Sequence, residues 1–352
     1  MRLHYTSAKV VLFGQLRDPR FDPATDAGYT DLHVTAILKD DPARGGRNVV
    51  TLREYIPVIG NTPPDYLVFC TVVNGRLEVS HGTGAPGRVV EYLKAEVALP
   101  EADPVKRLGF FFGHLDSADT VIAADAFHEF ARAPDADILK AAAVLKPETI
   151  RKLITDPNTP PERLGVFAFL LGICGGPADA AFLADLLRPN PLPDRTAASF
   201  GGLLAGYVLL APKDGWAFTA AVLGDEKRPY SQRLSALGTV RFFQATRAEG
   251  CRAEVLRCCA ALLPHGDLAD QAVEDLRRWG WWDLTADVLA QWGKPTHAAP
   301  VVRRCLVRYA LTCPKPEAKA FLESARRSDP KLVKFVEDQM SLYEPAAPPK
   351  PR

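Results

Sequence analysis

The chain is poor in several things whose absence narrows its function. Methionine is nearly missing, with two in 352 residues. No run of ~18 consecutive apolar residues occurs, so no transmembrane helix is expected. The N-terminal MRLHYTSAKVVLFGQL has neither the apolar core nor the small-residue cleavage site of a signal peptide. The chain reads as cytoplasmic, or as exported if an upstream leader is missing. Net charge is also lacking, at +1 overall. Residues 1–100 hold eleven Lys/Arg and eleven Asp/Glu. No global field therefore draws the protein toward nucleic acid or acidic membranes. There is no G-x-S-x-G for a nucleophilic serine.

Seven cysteines are present, at 70, 174, 251, 258, 259, 305 and 313, with no C-x-x-C among them. Cys251 and Cys258 share a helical stripe with Val255 and Leu262. Buried free thiols are the expectation, and neither metal nor cofactor is expected.

What is present is helical and aromatic. Four of the five tryptophans fall in Asp267 to Cys313. Leu268, Ala272, Leu276 and Trp279 recur at helical spacing, with Asp267 placed to cap and Gly280 to stop. A second helix carries Trp281, Leu284, Val288 and Trp292. A third starts near Pro300. The segment W-x-x-T-A-x-V-L at Trp282 repeats at Trp216, 66 residues earlier. Arg163, Arg233 and Arg303 stand 70 residues apart, each early in an apolar helix. Each 70-residue unit reads as two helical pairs of about 35 residues, a spacing that marks repeat arrays. The arginines could line a concave face, or pair with loop acids Asp156 and Asp225. Trp279 and Trp281 could be binding hot spots, though tryptophan at helical spacing is more often core.

Residues 1–100 read differently. Strand-like runs lie at 8–16, 30–39, 48–56, 65–73 and 76–80. The fourth, DYLVFCTVV, is apolar on both faces, as a central strand should be. Asn74-Gly75 then signals a hairpin. Residues 87–99 look helical. Five short antiparallel strands and a helix predict a small OB-like barrel. Gly82, Gly84 and Gly87 spell G-x-G-x-x-G, the pattern that admits a pyrophosphate to a helix N-terminus. Here it follows a hairpin strand rather than opening a βαβ unit, so a flexible exit loop is expected. Asp125, His128 and Glu129 share one helix. An acid–base pair is conceivable there, but a solvated face is preferred.

The strand order AKVVLFGQL, TDLHVTAILKDD, NVVTLREYIP, DYLVFCTVVNGRLE resembles the OB-fold of the netrin and tissue-inhibitor-of-metalloprotease type. The inhibitory members of that superfamily use an early cysteine, which this chain lacks. LITDPNTPPERLGVFAFLLG, VLGDEKRPYSQRLSALGTV and PVVRRCLVRYALT resemble HEAT-like repeats. The combination is similar to uncharacterised proteins of high-GC bacteria, many of them exported.

The expected architecture is α+β and multidomain: an OB-like barrel with closing helix at 1–100, HEAT-like helical pairs at 101–343 and a disordered Pro-rich tail at 344–352. The expected function is a non-catalytic protein-interaction scaffold, not an enzyme. Arg163, Arg233, Arg303, Trp279 and Trp281 are its candidate partner-binding residues. Two alternatives stand beside it. One is a nucleotide-binding enzyme using Gly82, Gly84 and Gly87. The other is an inhibitor-like β-domain on a helical stalk.

Overall fold

The structure, a computed structural model, describes residues 1–58 and 62–343. The Pro-rich tail lies outside the described residues. The chain forms two compact units, Met1–Leu145 and Lys146–Arg352.

The first unit opens with a short helix, α1 (Arg2–Ser7), ahead of the first strand. Strands β1 (Val10–Asp22), β2 (Ala27–Lys39), β3 (Val49–Leu52), β4 (Asp65–Val73) and β5 (Arg76–Gly84) follow. They form one antiparallel sheet in the order β3-β2-β1-β4-β5. The sheet is open, and this corrects the expected OB-like barrel. β3 has only four residues, and β5 exposes most of its side chains. Neither edge offers a long buried strip on which a ladder could close.

One face of the sheet buries Val10, Leu12, Leu16, Leu32, Leu52, Val68 and Cys70. Leu67 and Phe69 alternate with those β4 residues, so they point to the other face, and both are fully buried. The ring of His4 in α1 packs 5.6 Å from that of Phe69. The unbroken apolar run of β4 thus has cover on both sides. Asn74 and Gly75 take φ of 51° and 74°, as a two-residue hairpin turn requires. Helices α2 (Gly87–Val97), α3 (Pro104–Phe112), α4 (Thr120–Arg132) and α5 (Asp135–Lys140) complete the unit.

The second unit is helical throughout its described residues. It comprises α6 (Pro147–Thr155), α7 (Pro161–Cys174), α8 (Pro177–Leu187), α9 (Asp194–Ala198), α10 (Phe200–Leu210) and α11 (Pro212–Gly224). It continues with α12 (Tyr230–Leu262), α13 (Ala269–Trp279), α14 (Thr285–Leu289), α15 (Pro300–Thr312), α16 (Pro316–Ser328) and α17 (Pro330–Tyr343). α12 is two helical stretches about a kink at Arg247 (φ −146°, ψ 35°). The abundant proline has a local reason. α6, α7, α8, α11, α15 and α16 each begin on proline, whose missing N–H would have no partner in a first turn anyway.

α7, α10, α12, α13, α15 and α17 pack in sequence as a row. α7 and α10 meet so closely that a Cβ on Gly202 would lie 2.3 Å from the Gly165 Cα. Side-chain bridges recur along the row at a nearly constant separation. Ser199 donates to the Pro161 carbonyl, and Thr239 to the Gly201 carbonyl at 2.9 Å, each across 38 residues. Arg233 reaches Asp267 and Arg241 reaches Asp275, each across 34 residues. The Cys305 thiol donates to the Asp270 carbonyl across 35.

The tryptophan stretch folds partly as expected. α13 ends on Gly280 in the left-handed conformation, and α15 starts at Pro300. The helix expected around 281–292 contracts to α14. Asp267 does not cap α13, because its carboxylate takes the Arg233 guanidinium instead. The W-x-x-T-A-x-V-L copies occupy like surroundings. Trp216 lies 5.2 Å from Phe243 of α12, and Trp282 lies 5.0 Å from Tyr309 of α15. In both, the threonine three residues on is buried and hydrogen-bonded to a local carbonyl.

Candidate functional site

Two polar constellations stand out, one in each unit. The first is built where α1, α2 and α4 converge. Asp119 caps α4 through the Val121 and Ile122 N–H groups, which fixes where Asp125 falls one turn later. Asp125 is buried. It accepts the Tyr92 hydroxyl at 2.9 Å and pairs with the Met1 amine. Glu96 of α2 is 0% exposed. One of its oxygens accepts the Arg2 N–H at 3.0 Å, while the other has no partner. Burial, and then the charge of Asp125, pushes the Glu96 carboxyl up to about 7. The ring of Tyr92 lies 5.0 Å from that of His114, whose Nδ1–H donates to the Phe110 carbonyl at 2.8 Å. Glu129 is flanked by Arg107 and Arg132, each at 3.9 Å.

The expectation of a solvated face at Asp125, His128 and Glu129 is thereby corrected. His128 alone is exposed, and α4 turns Asp125 inward against Tyr92. The sequence hid this, because Glu96 and Tyr92 sit on α2 inside an ordinary amphipathic pattern. The centre can hold a proton near neutral pH. Glu96 is 0% exposed, and that burial is the main cause of its raised carboxyl.

The glycine motif is not a loop. Gly82 and Gly84 lie within β5 and Gly87 opens α2, which corrects the expected exit loop. The strand continues because Gly84 pairs with Tyr66, and the Ala85 N–H bonds the Asp65 carbonyl at 2.9 Å. A Cβ at Gly84 or Gly87 would meet nothing within 4 Å, whereas one at Gly82 would strike the Tyr66 ring.

In the second unit the candidate residues disperse along the chain. Arg163 is half-buried in the first turn of α7. Arg233 is 3% exposed and spends its guanidinium on Asp267, at 2.8 and 3.2 Å, and on the Leu223 carbonyl. Arg303 pairs with Asp329 at 3.0 Å and lies 4.6 Å over the Trp292 ring. Arg233 and Arg303 thus reach forward to the next helical pair. Asp225, the acid expected to take Arg233, accepts the Lys227 N–H of its own loop and lies 3.9 Å from Arg228, and Asp156 accepts the Asn158 N–H. Trp279 and Trp281 do come together, with ring centroids 5.2 Å apart. Arg252 covers Trp281 at 4.3 Å and pairs with Asp283 at 2.6 Å.

A cluster not anticipated from sequence lies on α13 and α15. Glu274 takes Arg277 at 2.9 Å, Arg278 at 3.0 Å and Arg308 at 4.0 Å. Burial raises its carboxyl, but the Arg277 hydrogen bond and the three guanidinium charges outweigh that and hold it below the usual range.

Six of the thiols are buried and Cys174 is half-buried. Burial pushes Cys70 and Cys174 up to about 11 and Cys258 and Cys305 up to about 12. Among the described residues no group of three or more His, Cys, Asp or Glu is placed to hold a metal. No helix among them is long and apolar enough to cross a membrane.

No family model matches the chain, and no curated protein matches it. A solved structure of human deoxyhypusine hydroxylase in complex with glycerol aligns with 73% of this chain and 90% of its own, at 15% identity and a TM-score of 0.30. A likeness of that size transfers no activity, substrate or residue role. The expectation that the chain is not an enzyme is nonetheless withdrawn. It rested only on the lack of a recognisable reaction centre in the sequence.

Proposed function

We infer that the helical unit is an α-solenoid of HEAT-like pairs, and that it binds a protein partner along the row α7–α10–α12–α13–α15–α17. Repeat arrays present long continuous surfaces, and protein binding is their usual employment. The observation that carries the reading is the set of side-chain bridges at 34 to 38 residues. They tie each row helix from α7 to α13 to its successor, so a partner meets a surface already ordered, which lowers the cost of binding. The proposal concerns binding and leaves catalysis open.

The two units are further proposed to fold separately. Limited proteolysis followed by mass spectrometry tests this, with an early cut expected at a junction between strand-bearing and helical fragments. The binding role is tested by capture from the native organism. The full chain should retain a specific protein, and Arg278→Glu together with Arg304→Glu should release it. A partner held equally by wild type and the double variant would remove the row from the interface.

A further inference from the structure

We propose that α1 is a strap that lifts off the sheet of the first unit about a hinge at Ala8, and that protonation of Glu96 beneath it sets how often it opens. This device lies in the strand-bearing unit and is independent of partner binding by the helical one.

α1 is held lightly. None of its six residues is buried, and a helix of that length has no stability of its own. Its seat is polar. The Arg2 N–H donates to Glu96 Oε1 at 3.0 Å, the Tyr5 hydroxyl to the Leu38 carbonyl at 3.1 Å, and Lys39 Nζ to the Tyr5 carbonyl at 3.1 Å. The residues that follow are fixed. Ala8 is 1% exposed and extended, with φ −68° and ψ 147°, and the Lys9 N–H donates to the Cys70 carbonyl at 2.8 Å. Motion of α1 therefore turns on Ala8 and leaves β1 in place.

The closed seat is also imperfect. Arg2 Nη1 and Glu96 Oε2, on the two sides of the contact between α1 and α2, are both buried without a partner. A buried polar atom left unmade costs the closed state, and water reaches both when α1 lifts. On the other flank the His4 ring stacks on that of His81 in β5, 4.1 Å away and 11° from parallel, with Phe69 beside both. Two imidazolium rings at that separation repel each other.

The charges around these groups set the signs. Glu96 faces the Met1 amine and Arg2 from the α1 segment, Asp125 and Glu129 from α4, and Tyr92 in its own helix, with Arg107 of α3 beyond Glu129. His4 faces His81 from β5, the Met1 amine, and Asp125 and Arg132 from α4, while Lys39 of β2 reaches the Tyr5 and Thr6 carbonyls. Burial and then Asp125 raise the Glu96 carboxyl from 4.5 to about 7. Lifting α1 hydrates it. The closed state therefore holds the extra proton between those values and weakens as pH rises through them. Burial and then His81 lower His4 from 6.5, so its contribution runs the other way and favours closure as pH rises. The Glu96 displacement is the larger of the two and decides the direction in the wild type.

Amide exchange of the full chain, corrected for the intrinsic rate at each pH, reads the strap. Protection over residues 2–8 should fall by about tenfold or more from about pH 5 to about pH 8, while β1 and β4 keep theirs. Glu96→Gln preserves the shape and the acceptor for the Arg2 N–H and removes the charge. It should reverse the sign, leaving protection that rises with pH through the His4–His81 stack. Adding His81→Ala should shrink that rise. Arg2→Met removes the unmet Nη1, keeps the backbone N–H, and should raise protection at every pH.

Protection over 2–8 that changes in step with β1 and β4 overturns the strap, because the unit then opens as one body. Absence of protection there at every pH overturns it too. A flat wild-type profile, or a Glu96→Gln variant that keeps the wild-type slope, removes Glu96 as the gate. Lower protection in Arg2→Met than in the wild type contradicts the unmet seat, and this variant leaves the carboxyl intact should Glu96→Gln fail to fold.

Discussion

The two units handle buried charge in opposite ways. In the strand-bearing unit, Glu96 and Asp125 are turned inward, and Arg2, Glu96 and Arg107 each keep a buried polar atom without a partner. In the helical unit the buried charges mostly meet a partner on a neighbouring helix, as Asp275 meets Arg241, other pairs such as Arg252–Asp283 are exposed, and among the described residues there Arg308 keeps a buried polar atom without a partner. The first arrangement makes stability depend on protonation. The second makes it depend on packing, with charge setting register more than energy. All five tryptophans lie in the helical unit. Their fluorescence therefore reports that unit alone and lets the comparison be measured.

The largest effect should come from packing. Trp216 is 5% exposed and packs against Phe243. Trp216→Ala should cost the helical unit about 3–5 kcal/mol in denaturant melts. Amide protection in β1 and β4 should hardly change. Loss of protection in the strands as well would show that the units are one cooperative body.

Protonation of Glu96 comes next. Its folded value of about 7 lies above the 4.5 of the unfolded chain. Between those two values the folded state holds the extra proton, so stability falls as pH rises and levels off above 7. The loss is roughly 3 kcal/mol. Glu96→Gln should abolish that slope in the amide exchange of α2 and α4 and leave the tryptophan signal unmoved. An unchanged slope in the variant would place the titration elsewhere.

Breaking a bridge should matter less. Asp267→Asn leaves the 3%-exposed Arg233 without its counter-charge. Because Asp267 is itself half-exposed, a loss of about 1–3 kcal/mol is expected in urea melts read by fluorescence. The smallest change should follow Arg252→Ala, whose pair with Asp283 is exposed on both sides. A loss below about 1 kcal/mol, shrinking further with salt, is expected there.

Much of the fold was legible in local pattern. The Asn74-Gly75 hairpin, the doubly apolar β4 and the stop at Gly280 each follow from a residue's own geometry. Closure of the sheet was not legible, because it depends on whether β3 and β5 meet, and no local residue encodes that. The Glu96–Asp125 centre was hidden for the same reason, since its members come from separate helices. The arginine ladder left a trace that can be read backwards. Arg233 and Arg241 are eight apart, as are Asp267 and Asp275, so both pairs share the 34-residue step. Of the three arginines spaced at 70, only Arg233 belongs to these two pairs, while Arg303 takes Asp329, 26 residues on.

A photo-crosslinking residue placed at Val301 in α15 and, separately, at Val79 in β5, both exposed, would locate the interface most directly. Irradiation in the native organism should yield a protein adduct from position 301 and none from position 79. An adduct from position 79 with none from position 301 would move the interface to the sheet and contradict a binding role for the helical row.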